Sequence, residues 1–469
     1  MDFFDNYENE QPDIRSLVEQ YEEALANNVQ PHIDQDEVEQ IVDYYEHVGH
    51  YDKALKAIEA ALEQHPYSGL ILLKKAQILF DLKITDEAIE CLDKAAIFEP
   101  SEIGIYLLRS EILTFQSQHD EALEQLDRAM ELADGDESGD VWLHMADVYE
   151  DVEKYDEVYA CLKACLKSDM ENEEALSRIN YCMELTDQFE DAIVLYKEII
   201  EEHPYCFWAW YNLSYAYASL DLYEKAIDAL QYVLAIDEDV NYAYKDLAQY
   251  YHEIGQYYNA LEAIKSYSGK TKAESDVHLL EGKCYFELKN LKTSRACFRR
   301  AIRSNPSAHE AFYNLGMTYI AEEKWGQSIQ HLKKAVELYP DNIEYLERLS
   351  ETALHAEDYE EVKYSCSKAI KLNLKYSRLY ITLALSYLFN GEEEKALDTI
   401  DQGIRECLSN IDLQYVKAAI LLMLNKRKAA ILDFEALLSE DFGTHTIVFK
   451  YFPSLQEDTE LMDLIDSLD

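Results

Sequence analysis

Two cysteines have a spacing that could place both of their thiols on one metal ion. Cys161 and Cys165 are four residues apart, so on a helix their thiols would share one face, as in half of a metal site. Cys91 and Cys297, however, fall at the same place as Cys161 in the sequence period described below, which favours small buried thiols. The sequence has no glycine-rich phosphate loop, no GxSxG and no HExxH motif. We therefore predict that the chain is not an enzyme and uses no metal and no cofactor.

The number and spacing of the cysteines, together with the N-terminal residues, indicate the cellular compartment of the protein. The nine cysteines are an odd number and form no CxxC pair, which favours reduced thiols. Residues 2–13 hold five acids and no apolar run, whereas a signal peptide needs a basic start and an apolar segment. The long uncharged stretch His203–Leu220 includes Pro204 and Asn212 and belongs to the repeat pattern, so it is not a membrane helix. These features predict a cytoplasmic protein that does not enter membranes.

Charge excludes several classes of partner. The chain has 42 Lys+Arg against 93 Asp+Glu, a net charge of −51. A nucleic-acid binder needs a large basic surface, and so does a general anchor on anionic lipid, so we predict neither. Only 13 glycines and 8 prolines are present, which leaves little room for β-turns and favours an all-α fold.

The prolines show a sequence period of 34 residues. Pro66, Pro100, Pro204, Pro306 and Pro340 are separated by 34, 104, 102 and 34 residues, and the 104 is three periods plus two residues. Taking each proline as position 32 gives twelve units over residues 35–444, which start at 35, 69, 103, 139, 173, 207, 241, 275, 309, 343, 377 and 411.

Other columns of the alignment follow the same period. Position 20 is alanine in eight of the twelve units, and position 8 is also mostly small, which lets two helices approach closely. Positions 4, 7 and 11 and then 20, 24 and 27 are apolar at helical spacing, so each unit is two amphipathic helices. The turn between them lies near position 15, where Gly49, Gly255 and Gly391 fall.

This column pattern resembles the tetratricopeptide repeat (TPR) family, whose unit is a 34-residue helix–turn–helix. The ninth unit carries it most fully, with Leu315, Gly316, Tyr319, Trp325 and Pro340 in their columns. The resemblance implies a right-handed superhelical α-solenoid with one continuous core. Residues 1–34 are then an acidic tail and a capping helix, the helix over about residues 13–28 and the first eleven residues mobile. Residues 445–469 form a C-terminal capping segment.

Two repeats depart from the pattern. Tyr267 stands at an apolar column of repeat seven and lies within the polar stretch Ser266–Lys272, so we expect a shortened second helix there. Asn180 stands at a small-residue column of repeat five, where we expect the packing to be disturbed.

The resemblance also implies a partner site. In the family the concave groove is lined by positions 2, 5, 9 and 12 of the first helix of each repeat, here called the groove positions. In repeats one, four and ten they are mostly acidic, as with Glu39, Asp147 and Glu344. In repeats six to nine they supply aromatic and basic residues, so we predict that a protein or peptide segment of unknown identity lies across Trp208, Tyr211, Tyr215, Tyr242, Lys245, Lys283, Phe286 and Tyr313. Packing of Trp208 and Tyr211 between repeats is the competing interpretation.

Three alternatives stay open. The family's clamp for an acidic chaperone tail needs an asparagine at position 6, but the residues around Asn212 and Asn314 complete neither clamp. The second helix of repeat eight bears a possible docking strip for an acidic surface, Lys292, Arg295, Arg299 and Arg303. Such a strip could serve self-assembly, so we predict a monomer or a weak homo-oligomer. A small ligand or peptide inside the superhelix is the third possibility.

Overall fold

A computed structural model describes residues 12–27, 34–135, 137–271, 274–408 and 410–468, which form two compact parts. The first part, residues 1–238, contains α1 (Pro12–Ala26), α2 (Gln35–His47), α3 (Tyr51–Gln64), α4 (Gly69–Asp81), α5 (Thr85–Phe98), α6 (Ile103–Phe115), α7 (His119–Leu132), α8 (Glu137–Asp151), α9 (Tyr155–Ser168), α10 (Glu173–Thr186), α11 (Phe189–Glu202), α12 (Phe207–Ser219) and α13 (Tyr223–Ile236).

The second part, residues 239–469, continues with the same alternation of helices. It contains α14 (Asn241–Glu253), α15 (Tyr257–Lys270), α16 (Ser275–Glu287), α17 (Leu291–Ser304), α18 (His309–Ile320), α19 (Trp325–Leu338), α20 (Ile343–His355), α21 (Tyr359–Leu372), α22 (Ser377–Phe389), α23 (Glu393–Glu406), α24 (Ile411–Met423), α25 (Arg427–Glu440), α26 (Ile447–Tyr451) and α27 (Thr459–Leu468). Short 3-10 turns at Phe442–Thr446 and Pro453–Glu457 flank α26, and the described residues include no strand. The predicted all-α fold of tandem helix–turn–helix units is confirmed.

A left-handed residue ends the first helix of every repeat. All twelve residues at position 15 have a positive φ, between 57° and 77°, although only Gly49, Gly255 and Gly391 among them are glycines. An L-residue pays about 1 kcal/mol or more for this conformation, whereas glycine adopts it freely. The other nine turns therefore hold local strain that the packed helices on either side enforce.

We expect Glu323→Gly to raise the stability of the chain by about 1 kcal/mol, because Glu323 is exposed and has a φ of 58°. The reverse change, Gly255→Glu, should lower it by a similar amount. Thermal unfolding followed by circular dichroism measures both, and a shift of the two midpoints in the same direction would contradict this explanation of the turn.

The small columns are the places where two helices meet. Ala88, Ala122 and Ala226 at position 20 are fully buried, and in repeat eight the Ser294 hydroxyl donates to the carbonyl of Gly282 at position 8 over 2.8 Å. The helix α1, which precedes the first repeat, buries Val18 and Tyr21 in the same apolar cluster as the core of repeat one. Glu22 of this helix accepts hydrogen bonds from the Tyr45 hydroxyl at 3.0 Å and from Lys53 at 2.7 Å.

The two expected departures from the pattern differ from what the structure contains. The second helix of repeat seven, α15, has 14 residues like its counterparts, so the expected shortening is wrong. Tyr267 is 6% exposed and fills the apolar column, which keeps the helix packed to its end. The expected mobility of the first eleven residues concerns a segment outside the described residues.

Candidate partner-binding surface

The first part contains three of the predicted groove residues, all on α12. Trp208 and Tyr211 pack edge to face with ring centroids 6.4 Å apart, and Tyr211 also stacks on Phe207 at 6.3 Å. One turn on, the Tyr215 hydroxyl donates to Glu184 Oε2 on α10 at 2.6 Å. Trp208, Tyr211 and Tyr215 are half-buried, so each contacts its neighbours and also keeps some accessible area. The two interpretations offered by the sequence, packing and binding, are therefore compatible.

A pair of hydrogen-bonded asparagines, Asn212 and half-buried Asn180, includes the residue that follows Tyr211. Asn212 is fully buried; its amide donates to the carbonyl of Leu176 at 2.7 Å, and its oxygen accepts from Asn180 at 2.6 Å. The Tyr196 hydroxyl in turn donates to Asn180 Oδ1 at 3.1 Å. The expected disturbance at Asn180 is thus replaced by a specific polar contact between repeats five and six. Because Asn212 is inaccessible, it cannot take part in a tail-binding clamp.

The second part contains the other five groove residues. Tyr242 is 42% exposed. Lys245 is bound by Asp276, and Lys283 donates to Glu310 Oε1 at 2.5 Å. Phe286 is half-buried, and Tyr313 completes the set.

Tyr313 is held from two sides. Its ring stacks on Tyr345 at 4.6 Å and its hydroxyl donates to Glu344 Oε1 at 2.8 Å. Burial, with that hydrogen bond, raises the pKa of Tyr313 to about 12. Carboxylates pair with both lysines of the predicted groove set, Lys245 and Lys283, so its aromatic rings are the candidate contact surface. That the groups in the two parts form one surface stays a prediction.

The docking strip on α17 needs one correction. Arg295 lies over the ring of Tyr319 at 5.1 Å and pairs with Glu322 at 3.0 Å, and its side chain is 13% exposed. It therefore joins repeat eight to repeat nine and is not available for docking. Lys292, Arg299 and Arg303 are exposed.

The C-terminal segment packs with groove positions of the last two repeats, which the sequence analysis did not single out. In repeats eleven and twelve, Ile381, Leu385, Tyr415, Ala419 and Leu422 are each 8% exposed or less. They share one buried cluster with Val448, Phe452 and Leu455 from the segment that follows the last repeat. Contacts include the ring of Phe452 against Phe389 at 6.4 Å and a hydrogen bond from the Tyr415 hydroxyl to the Asp441 carbonyl at 2.7 Å. The aromatic residues between Phe442 and Phe452 are the feature of the sequence from which this packing could have been predicted.

One arginine fastens the same segment to the last repeat. Arg427, at the start of α25, donates to both oxygens of Asp458, at 2.8 and 2.5 Å, and to Glu460 Oε2 at 2.5 Å. These bonds lower the pKa of the Asp458 carboxyl. The attachment is therefore present above the ordinary aspartate pKa and is lost as the pH falls through the lowered value. Beyond it, Leu461 and Ile465 of α27 are buried, and that this helix caps the last repeat stays a prediction.

The thiols are placed for packing. All nine cysteines are free, eight are buried, and Cys407 is half-buried. Burial, with the charge of Glu157, raises the pKa of Cys161 to about 12, and burial raises that of Cys165 to about 11. Across the described ranges no group of three or more His, Cys, Asp or Glu side chains is arranged to hold a metal ion. Among those same residues, no helix combines the length and apolar character needed to span a membrane.

Comparison with known proteins finds tetratricopeptide repeat models and relatives that agree with the observed helical repeats. Three sequence models described as tetratricopeptide repeats match residues 36–78, 186–250 and 279–343. Anaphase-promoting complex subunit 3 of Schizosaccharomyces pombe is 21% identical over 298 residues, 63% of this chain and 39% of the relative. The BBSome complex member BBS4 of Bos taurus is 23% identical over 213 residues, 45% of this chain and 41% of the relative.

An archaeal relative is matched over most of its length. The TPR repeat-containing protein MJ1428 of Methanocaldococcus jannaschii is 23% identical over 457 residues, 91% of this chain and 77% of the relative. In contrast, the chain spans only about two fifths of the length of the two eukaryotic relatives. Together with the helix–turn–helix units and the left-handed residue that their turns share, these matches show that the chain contains tandem tetratricopeptide repeats.

Proposed function

We propose that this chain is a non-enzymatic scaffold that binds a segment of a partner protein at the groove positions of its middle repeats. The observation that carries the proposal is the C-terminal segment. In repeats eleven and twelve the groove positions bury a short helix with aromatic flanks from the chain itself, so the same face can accept an apolar segment. Trp208, Tyr211 and Tyr242 occupy the equivalent face and keep accessible area.

The contacts also suggest the partner's chemistry. Lys245 and Lys283 already have carboxylate partners, so a strongly acidic ligand would have to displace Asp276 and Glu310. Aromatic side chains supply large contact area at low entropic cost and are common among binding hot spots. We therefore favour a partner segment whose anchors are aliphatic or aromatic side chains.

The names of the relatives support a role in protein assemblies, and the buried thiols support a reducing compartment. Two of the relatives are named as members of multiprotein complexes, which fits a role as an assembly surface. Nine free cysteines, eight of them buried, fit a reducing compartment such as the cytoplasm. The chain is then a component that holds partners together, with no chemistry of its own.

We expect the triple variant Trp208→Ala/Tyr211→Ala/Tyr242→Ala to lose the partner that the wild type captures from native lysate. Removing a hot-spot aromatic costs about 2 kcal/mol or more of binding free energy, about thirtyfold in affinity for each residue. An affinity pull-down at fixed salt, with mass spectrometry of the captured bands, makes the comparison.

A matched control removes two exposed tyrosines that lie outside the groove positions. Tyr67 and Tyr205 are 73% and 83% exposed, so Tyr67→Ala/Tyr205→Ala changes similar area and should retain the partner. Circular dichroism must first show both variants folded. Retention of the same bands by the triple variant would refute the proposed groove site, and capture of nothing but further copies of the chain would favour self-assembly.

A further inference from the structure

The helix α17 has an unusual charge composition. It carries five cations, Lys292, Arg295, Arg299, Arg300 and Arg303, and no carboxylate, in a chain with 93 acids and 42 Lys+Arg. Two of the five are committed within the fold. Arg295 pairs with Glu322 at 3.0 Å, and Arg300 pairs with Glu281 at 3.0 Å. These pairs fix the helix in repeat eight.

The other three cations, here called the α17 ridge, are exposed. Lys292, Arg299 and Arg303 are seven and four residues apart, which places them along one side of the helix over about 16 Å. None of them forms an ion pair with any residue that the structure describes. Arg299 donates to the hydroxyl of Tyr319 at 2.8 Å, so its guanidinium is held at the surface by a neutral group.

A histidine beside the ridge contributes no positive charge of its own. His331 on α19 stacks on Tyr319 at 5.5 Å. Burial lowers the pKa of His331, and the charge of Arg299 lowers it further. Arg299 thus lies beside a neutral imidazole and a tyrosine hydroxyl, and no carboxylate of a described residue forms an ion pair with it, although acids outnumber bases more than twofold in the chain.

A cavity of about 670 Å³ is bordered by Arg300 of α17, the residue that follows Arg299 in the sequence. Its wall includes Leu261 and Tyr258 from α15 and Tyr285 from α16, and two cations face it, Lys265 and Arg300. Its carboxylates are Glu262 and Glu281, of which Glu281 is bound to Arg300. The cavity therefore offers room and apolar wall for a side chain next to a basic surface.

We infer that the α17 ridge docks a carboxylate-rich segment of a partner protein, with one apolar side chain of that segment in the adjoining cavity. This surface lies on the second helix of its repeat and is independent of the groove positions. Three unbalanced cations match carboxylates spaced along a peptide. A nucleic acid is disfavoured as the occupant because a net charge of −51 repels a long polyanion more strongly than a short acidic segment.

Fluorescence anisotropy at low salt tests the inference with the full chain. The probe is a labelled ten-residue peptide of nine glutamates and one central phenylalanine, and its companion has glutamine in place of glutamate. The ridge variant is Lys292→Glu/Arg299→Glu/Arg303→Glu. The matched control is Lys94→Glu/Arg128→Glu/Lys167→Glu, which reverses three exposed cations on α5, α7 and α9 and so changes the net charge equally.

We expect the acidic peptide to bind the wild type and the control, and to bind the ridge variant at least tenfold more weakly. The glutamine peptide should not bind. No binding of the acidic peptide to the wild type, or an equal loss in ridge and control variants, would overturn the inference. So would tighter binding of a uridine homopolymer than of the peptide. A dimer in sedimentation that only the ridge variant abolishes would assign the surface to a second copy instead.

Discussion

Replacing Phe452 by alanine is expected to destabilise the C-terminal repeats by about 3–5 kcal/mol. Phe452 is 2% exposed and packs in the cluster that contains Ile381, Leu385 and Tyr415. Truncating a buried phenylalanine removes its transfer free energy and leaves a cavity, which together give a loss of this size. Because repeat proteins unfold partly by segments, we expect the loss in repeats eleven and twelve first.

Hydrogen exchange followed by mass spectrometry measures this effect directly. In the Phe452→Ala variant, amides of α22 and α24 should exchange faster, while those of the first part keep their wild-type rates. Phe115→Ala is the matched control, since Phe115 is 57% exposed and its removal should cost little. If exchange in α22 and α24 is unchanged in a Phe452→Ala protein, the C-terminal segment does not protect the groove positions there.

Replacing Asn212 by leucine is expected to cost about 2–4 kcal/mol, although leucine has nearly the same size. The change leaves the amide of half-buried Asn180 without its acceptor at 2.6 Å and the carbonyl of Leu176 without its second donor. A buried polar group without a partner costs about 1–3 kcal/mol. Two groups lose their contacts together, so the expected effect is large.

A double-mutant cycle separates this cause from simple misfit. When Asn180→Leu is added, the orphaned amide disappears, so the double variant should recover part of the loss, with a coupling of about 1 kcal/mol or more. Chemical denaturation monitored by circular dichroism gives the four free energies. Strictly additive losses would mean that the two asparagines do not depend on one another.

The repeat fold could be predicted because its signal is repeated. Twelve copies of a 34-residue pattern place the small residues of positions 8 and 20, and the turn at position 15, so clearly that single exceptions do not obscure them. Reading a column one position at a time, however, makes Asn180 an exception. Its partner Asn212 stands two positions earlier in the next repeat, so the pair becomes visible only when neighbouring repeats are packed together.

The candidate site was less predictable, because a column gives a residue's position on the helix but not its neighbours. Arg295 and Arg299 belong to the same predicted strip, yet Glu322 binds the first and the second remains exposed. Lys245 and Lys283 similarly have carboxylate partners on the first helix of the next repeat. The C-terminal segment lies outside the 34-residue period. No column of the repeat alignment therefore predicts that it packs on the groove positions.

The most direct test of the central claim is site-specific photocrosslinking in native lysate. Benzoylphenylalanine is introduced in separate variants at Tyr211 and Tyr242, which are groove positions, and at Tyr205, which is 83% exposed but is not. The account predicts that irradiation gives a discrete adduct with a partner protein from Tyr211 and from Tyr242, and none from Tyr205. An adduct from Tyr205 alone, or the same adduct at equal yield from all three, would contradict binding at the groove positions.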